Sequence, residues 1–340
     1  MTRPSFIALA GLLFSTSFAL QAADSPFTLK KTESGGFEVS VNGKPFTTYV
    51  VDQANKTYLA PVFGPTGKSM TRAYPMQNVE GEQHDHPHHR GINFGHEHTG
   101  SSGNWTDTWA EKLTYEGEAK NAKQATSNKD HIAKLGNIKH REYTEMKADA
   151  DKAVVAEICD HLDPSGKRML TEERLLTFRL IGEMRVIDFD QDLIASEGPV
   201  TFDDSKDAGL SIRVPTSMAV DTKGGGHIMT SEGLADGAAW SKSAKWVDYN
   251  GPVEGEHLGV AMLNHPTSYR YPTHWHVRTY GLFTANPFAS RAFDKALPET
   301  PTELKKGDRL KLRHRFIFHT GDEKAAKIAE AFAAYEKEVK

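Results

Sequence analysis

The chain has 340 residues, of which 25% are charged and 38% hydrophobic, with a formal net charge of −4. That composition suits a folded globular protein and excludes a disordered polyelectrolyte. A weakly acidic chain without a Lys/Arg block has no electrostatic footprint for nucleic acid.

Arg3 precedes an apolar run from Phe6 to Leu20, and Leu20-Gln21-Ala22 before Ala23 fits a cleavage site. Residues 1–22 are expected to be a signal peptide and residues 23–340 a single domain. No later stretch is apolar over the roughly 20 residues a spanning helix needs. The expectation is an exported protein, periplasmic or secreted. Cys159 is the only cysteine, so no internal disulfide can form, and Val154, Val155 and Ile158 around it predict a buried, inert thiol.

Phe37–Val41 and Lys44–Val51 alternate around Asn42-Gly43, which predicts a hairpin with a tight turn. A histidine-rich stretch, Gln83–His98, follows. Six of the sixteen histidines fall there, with Asp85, Arg90 and Glu97 among them. No packed core needs that composition, and imidazole both titrates near neutrality and ligates metals. Trp105 and Trp109 come next, either as packing anchors under a loop or as a stacking surface for a ligand ring.

Residues 116–150 show little apolar periodicity and read as excursions and exposed strands. Ala153–His161 and Met169–Leu180 read as a hairpin around Asp163-Pro164-Ser165-Gly166. Strands are expected again at Met184–Leu193, Val200–Phe202 and Gly209–Val214. Short strands at this spacing predict a large antiparallel all-β sandwich. At Leu263–Phe288 a period of two puts His274, His276, Arg278 and Tyr280 on one face, opposite Trp275 and Val277. That polar face suits a pocket wall contacting hydroxyls and carboxylates. Asp322–Lys337 reads as a C-terminal helix with an Ala325, Ile328, Ala329, Phe332 stripe and a Glu323–Lys327 pair.

Two chemistries fit the histidines. In the first, His89 and His276 transfer protons on a sugar, while Arg90, Arg278, Arg213, Asn264, Tyr280, Trp109 and Trp275 bind its oxygens and ring faces. In the second, His86, His89 and His96 hold a divalent metal that assists elimination or hydrolysis. A non-catalytic sugar- or metal-binding protein is the third possibility. Gly-x-Ser-x-Gly is absent, and Gly224-Gly225-Gly226 lacks the strand–loop–helix setting of a phosphate cradle.

Asp85-His86-Pro87-His88-His89-Arg90-Gly91 with His96, together with Asn264-His265-Pro266, Arg270-Tyr271-Pro272 and Trp275-His276-Val277-Arg278, resembles an exported bacterial family labelled "PmoA". Glu173-Arg174, Ile187-Asp188-Phe189 and Asp207-Ala208-Gly209-Leu210 are similar to it too. The resemblance spans about residues 50–320. It implies a β-sandwich of the galactose-mutarotase type and a carbohydrate ligand, with no settled reaction. Family members often carry Asp where Asn264 stands. The methane oxidation implied by the label is rejected, because a membrane monooxygenase subunit needs several apolar spans.

Overall fold

The computed structural model describes residues 25–101, 104–117 and 119–340. The expected leader, residues 1–22, lies outside them. Eight strands form one antiparallel sheet in the order Phe27–Lys31, Phe37–Val41, Lys44–Val50, Tyr58–Val62, Ile92–His96, Ala208–Arg213, Leu282–Asn286 and His274–Val277. A second runs His227–Thr230, Trp246–Val253, Glu256–Asn264, Arg309–Thr320, Met184–Ile194, Arg168–Ile181, Lys152–Leu162 and Asn137–Ala148. A small four-stranded sheet joins Thr302–Leu304, Val200–Phe202, Thr99–Ser101 and Asn104–Thr106.

The two large sheets face each other because each strand alternates. Phe37, Val39 and Val41 are buried while Glu38 between them is exposed. Phe178 of the second sheet meets Phe37 and Phe46 of the first, at ring-centroid distances of 6.1 and 5.8 Å. Asn42 and Gly43 both take positive φ, 51° and 70°, as the tight turn of the predicted hairpin requires. The all-β sandwich expected from the sequence is what the chain forms, and a C-terminal helix packs outside it.

That helix is shorter than expected. It spans Ile328–Tyr335 and buries Ile328, Phe332 and Tyr335 against Val186, Trp246 and Ile317 of the second sheet. Asp322 caps a preceding turn through the Ala325 amide (2.8 Å), and Lys327 then leaves helical geometry with φ 54°. The break separates Glu323 from Lys327, so their expected i,i+4 geometry is not formed. Two other expectations need correction. Residues 116–150 contain a helix, Ala122–Ile132, capped by the Asn121 side chain on the Gln124 amide (2.9 Å). It buries no side chain and so left no apolar period to read. The strand read through His274–Phe283 ends at Val277. Gly281 takes φ 106° and its amide bonds the Arg278 carbonyl (3.0 Å), so Arg278 and Tyr280 lie in a turn.

The sandwich interior holds a closed polar network. Arg174 donates to Glu172 (2.6 Å), Thr57 (2.6 Å) and Glu157 (3.2 Å), and Glu172 also bonds His161 and Gln191, each at 2.8 Å. Burial pushes the Glu172 carboxyl up, but the Arg174 charge and the His161 hydrogen bond outweigh it and hold it down to about 2. Replacing Arg174 by Met leaves two buried carboxylates without their guanidinium counter-charge. Denaturant unfolding is expected to show a loss of about 3–5 kcal/mol. Leu175→Thr, on the outward face next door, is expected to stay within about 0.5 kcal/mol.

Candidate active site

The site is built on the outer face of the first sheet. In its central strands Phe94, Leu210, Ile212, Phe283, Trp275 and Val277 turn inward to the core. The alternate residues turn outward, and the register aligns four of them. Asn93 lies beside Ser211, Ser211 beside Thr284, and Thr284 beside His276. Gly95 shares this outward face. A Cβ there would come within 2.7 Å of the Thr108 carbonyl oxygen, so only glycine lets the segment around Asp107–Ala110 lie flat on the sheet. The Lys56 ammonium fixes that segment from below by a hydrogen bond to the Trp109 carbonyl. Burial lowers Lys56 to about 8.

The loop before Ile92 supplies one wall. Asp85 accepts from the guanidinium groups of Arg72 and Arg213 and, at 2.6 Å, from His86 Nδ1. Burial pushes the Asp85 carboxyl up. The His86 hydrogen bond and the two arginine charges overcome this and hold it well below the usual carboxylate range. Arg72 also donates to the His86 carbonyl (2.9 Å), which fixes the loop where His86 has φ 43°. The His86 ring then lies parallel to Tyr280 and to His89, at 5.1 Å from each. Two segments about 180 residues apart in sequence thus meet in one cavity of about 400 Å³. His86, His88 and His89 line it from one side and His276, Arg278 and Tyr280 from the other.

The two histidines singled out in the sequence face this cavity in opposite proton arrangements. Arg213 Nη1 donates to His89 Nδ1 (3.3 Å). A guanidinium has no acceptor, so this nitrogen must offer its lone pair and the proton sits on Nε2. Burial and the neighbouring His88 and Arg213 push His89 well below the ordinary histidine range, so the ring is neutral. His276 is the reverse. Its Nδ1 meets the Lys206 carbonyl (2.7 Å), which can only accept, so Nδ1 carries the proton and Nε2 is bare. Burial lowers His276 to about 4, against the opposing effect of Asp207. Neither Nε2 has a protein partner among the described residues.

Sequence reasoning named Glu97 and Asp207 without giving them a role and missed Asp107. Glu97, Asp107 and Asp207 also line the cavity. Asp107 is buried, and one of its oxygens accepts the amides of Trp109 (2.7 Å) and Ala110 (2.9 Å). Burial raises its carboxyl to about 6, with Glu97 adding to the rise and Lys56 opposing it. Asp107 had no local signal beyond lying between the two tryptophans. His88, held by Thr114 Oγ1 at 3.0 Å, was also passed over as a wall residue.

Trp109, Arg278 and Tyr280 line the cavity. Four other residues assigned to substrate are elsewhere. Arg90 points away and forms a two-pronged ion pair with Glu111, 2.8 Å on each arm. Asn264 is fully buried, accepting the Thr273 amide (3.1 Å). Trp275 sits in the core with its Nε1 donating to the Ala244 carbonyl (2.9 Å). Arg213 is behind the wall, where it contacts His89, Asp85 and the underside of Tyr280. The metal triad is not assembled either. His96 follows Ile92 and Phe94 in the inward set, wedged against Phe202 and Phe288, and is not among the residues that line the cavity with His86 and His89. Among the described residues no group of three or more His, Cys, Asp or Glu side chains is placed to hold a metal ion.

An all-β sandwich with a histidine-lined cavity on one sheet face is the class this architecture defines. The sequence matches a family of unknown function, DUF6807, over residues 36–333, and the chain belongs to that family. No curated protein matches it. Among solved structures it superposes on a polysaccharide lyase at 12% identity and TM-score 0.36, over 89% of this chain and 34% of that one. It superposes on the GH36 alpha-galactosidase AgaA from Geobacillus stearothermophilus at 9% identity and TM-score 0.41, over 87% of this chain and 41% of that one. For a galactose mutarotase related enzyme from Lactobacillus acidophilus the values are 8% and 0.34, over 86% and 97%. The chain thus spans well under half the length of the first two. Superpositions this loose say nothing of what the chain acts on. No helix among the described residues is long and apolar enough to cross a membrane.

Asp85 generates a stability prediction. Its folded pKa lies below the unfolded value of about 3.9, so its contribution is complete above that pH and is lost progressively as pH falls from there through the folded value. Asp85→Asn is expected to unfold at a lower denaturant midpoint at pH 7. The gap to the parent protein is expected to narrow below about pH 4, as denaturant titrations at several pH values will show.

Proposed function

We propose that the chain is a carbohydrate-active enzyme that moves protons with its histidines, in an isomerase, epimerase or lyase step. The observation that carries this reading is the pairing, in one cavity, of a bare imidazole nitrogen with a protonated one. His276 Nε2 is the proton acceptor. His89 Nε2–H is a neutral donor for the oxygen on which negative charge develops, which stabilises that charge without itself giving up a proton. Arg213 keeps His89 in this tautomer and is a positioning residue. Asp107, protonated over part of the pH range, is the proton donor that His89 cannot be. Trp109 and Tyr280 supply ring surface for the apolar faces of a sugar. The same proposal puts the enzyme outside the cytoplasm, in the periplasm or beyond, on the strength of the leader read in residues 1–22.

The test is turnover of reducing sugars and 3-keto-glycosides by the purified protein. His276→Gln is expected to lower kcat by about 10²–10⁴-fold, the usual worth of a positioned base. His89→Gln is expected to lower it by about 10²–10³-fold, as for loss of one oxyanion donor. Equal turnover by both variants and the parent overturns the assignment, and saturable binding without product on any substrate turns the site into a binding site.

The pH profile is a separate check. His276 acts only when unprotonated, so kcat/KM is expected to rise through about pH 4. Asp107 acts only when protonated, so kcat/KM is expected to fall through about pH 6. The groups facing them, Asp207, Lys206 and Arg278 for His276 and Glu97 and Lys56 for Asp107, set these values. Asp107→Asn is expected to remove the alkaline limb while leaving the acid one.

A further inference from the structure

Arg278 differs from every other described arginine. Arg72 and Arg213 share Asp85, Arg90 holds Glu111, Arg174 holds Glu172, and Arg315 holds Asp188. Arg185 and Arg270 donate to backbone carbonyls. Among the described residues the Arg278 side chain makes no hydrogen bond and no ion pair. It is still held in place. Its guanidinium lies 5.6 Å from the Tyr280 ring centre and 5.7 Å from that of Trp240. Two aromatic faces restrain a planar cation without using its N–H groups. Those donors are left for something else.

The neighbouring charges sharpen this. Asp207, the acid beside His276, is already engaged by Lys206 at 2.5 Å and lies 3.8 Å from His276. Glu97 accepts from Ser205 (2.8 Å), and Asp107 from two amides. Each cavity acid thus has one oxygen already held by the protein, whereas the Arg278 guanidinium has none of its donors used. Arg278 comes two residues after His276 and lines the same wall. A planar guanidinium with free donors matches a carboxylate in two-pronged geometry better than it matches a hydroxyl.

We propose that the cavity takes a sugar acid, with the substrate carboxylate seated on Arg278 and the carbon next to it presented to His276. This deepens the acid–base reading above and rests on it. A carboxylate neutralised by a guanidinium makes the adjacent C–H more acidic, which is what a weak imidazole base needs.

The experiment is calorimetric binding of paired probes, glucuronate and galacturonate against glucose, galactose and the two uronate methyl esters. The parent protein is expected to bind at least one uronate about ten-fold or more tighter than its neutral partners, in line with a charge-assisted hydrogen bond. Arg278→Gln is expected to abolish that preference while its circular dichroism and unfolding midpoint stay those of the parent. Arg278→Lys, which keeps the charge and loses the fork, is expected to restore only part of it. His276→Gln is expected to keep the preference for the acid while losing turnover, so the substrate class and the base assignment fail separately. A parent protein that binds no uronate more tightly than its neutral partners overturns the proposal, as does an undiminished preference in Arg278→Gln.

Discussion

The carboxylate of Asp85 between two buried guanidinium groups is the constraint from which the rest of the site follows. Arg72 and Arg213 are essentially sealed from solvent. Two cations so placed repel each other, and neither can be lost by deprotonation at any ordinary pH. Only a shared anion makes the arrangement tolerable, and removing one partner of such a group leaves a stranded charge. The loop from Gln83 to Gly91 must therefore bring Asp85 to the end of the Ala208–Arg213 strand. Once it does, the His86 carbonyl falls on Arg72, His86 Nδ1 falls on Asp85 and His89 Nδ1 falls on Arg213. Ring orientation and tautomer in the first histidine cluster are consequences of that one salt-bridged knot.

The opposite wall depends on the period of the sheet. His276 faces outward because Trp275 and Val277 face inward, and its Nδ1 finds the Lys206 carbonyl because the strand pairs in register with Leu282–Asn286. Asn286, in the same outward set, donates to the same carbonyl (3.0 Å). The site thus combines a rigid wall, on a strand, with a wall made of loop but fixed by charge. Sites on regular elements hold their geometry more closely than sites on free loops. Here the ion pairs give the loop a comparable restraint.

How much of this could be read beforehand depended on whether the deciding contact was local. The Asn42-Gly43 turn, the alternating strands and the outward face of His276 all follow from residues a few positions apart. The parity that removes His96 was also legible, since Ile92, Phe94 and His96 form one alternating set whose first two members belong in a core. Arg278 and Tyr280 reach the cavity by a route the strand reading did not contain, the turn closed at Gly281. Arg90 could not be placed without knowing that Glu111 waits beside it. Asp107 needed more still. Its role depends on Gly95 admitting the segment onto the sheet and on Lys56 holding it there, and neither residue is near it in sequence. The family match and the loose superpositions supply neither a substrate nor a reaction, so the chemistry has to be argued from the cavity.

That chemistry turns on what the two imidazoles are bonded to on their far sides. A histidine pair in a polar pocket could in principle exchange roles, since the free rings are identical. Here they cannot. A guanidinium behind His89 can only donate, and a carbonyl behind His276 can only accept, so one ring presents a proton and the other a lone pair whichever way the rings tilt. Burial of both rings removes the charged form as an alternative near neutrality. One ring therefore offers a proton and the other a lone pair to the same cavity, which is the asymmetry the proposed reaction requires.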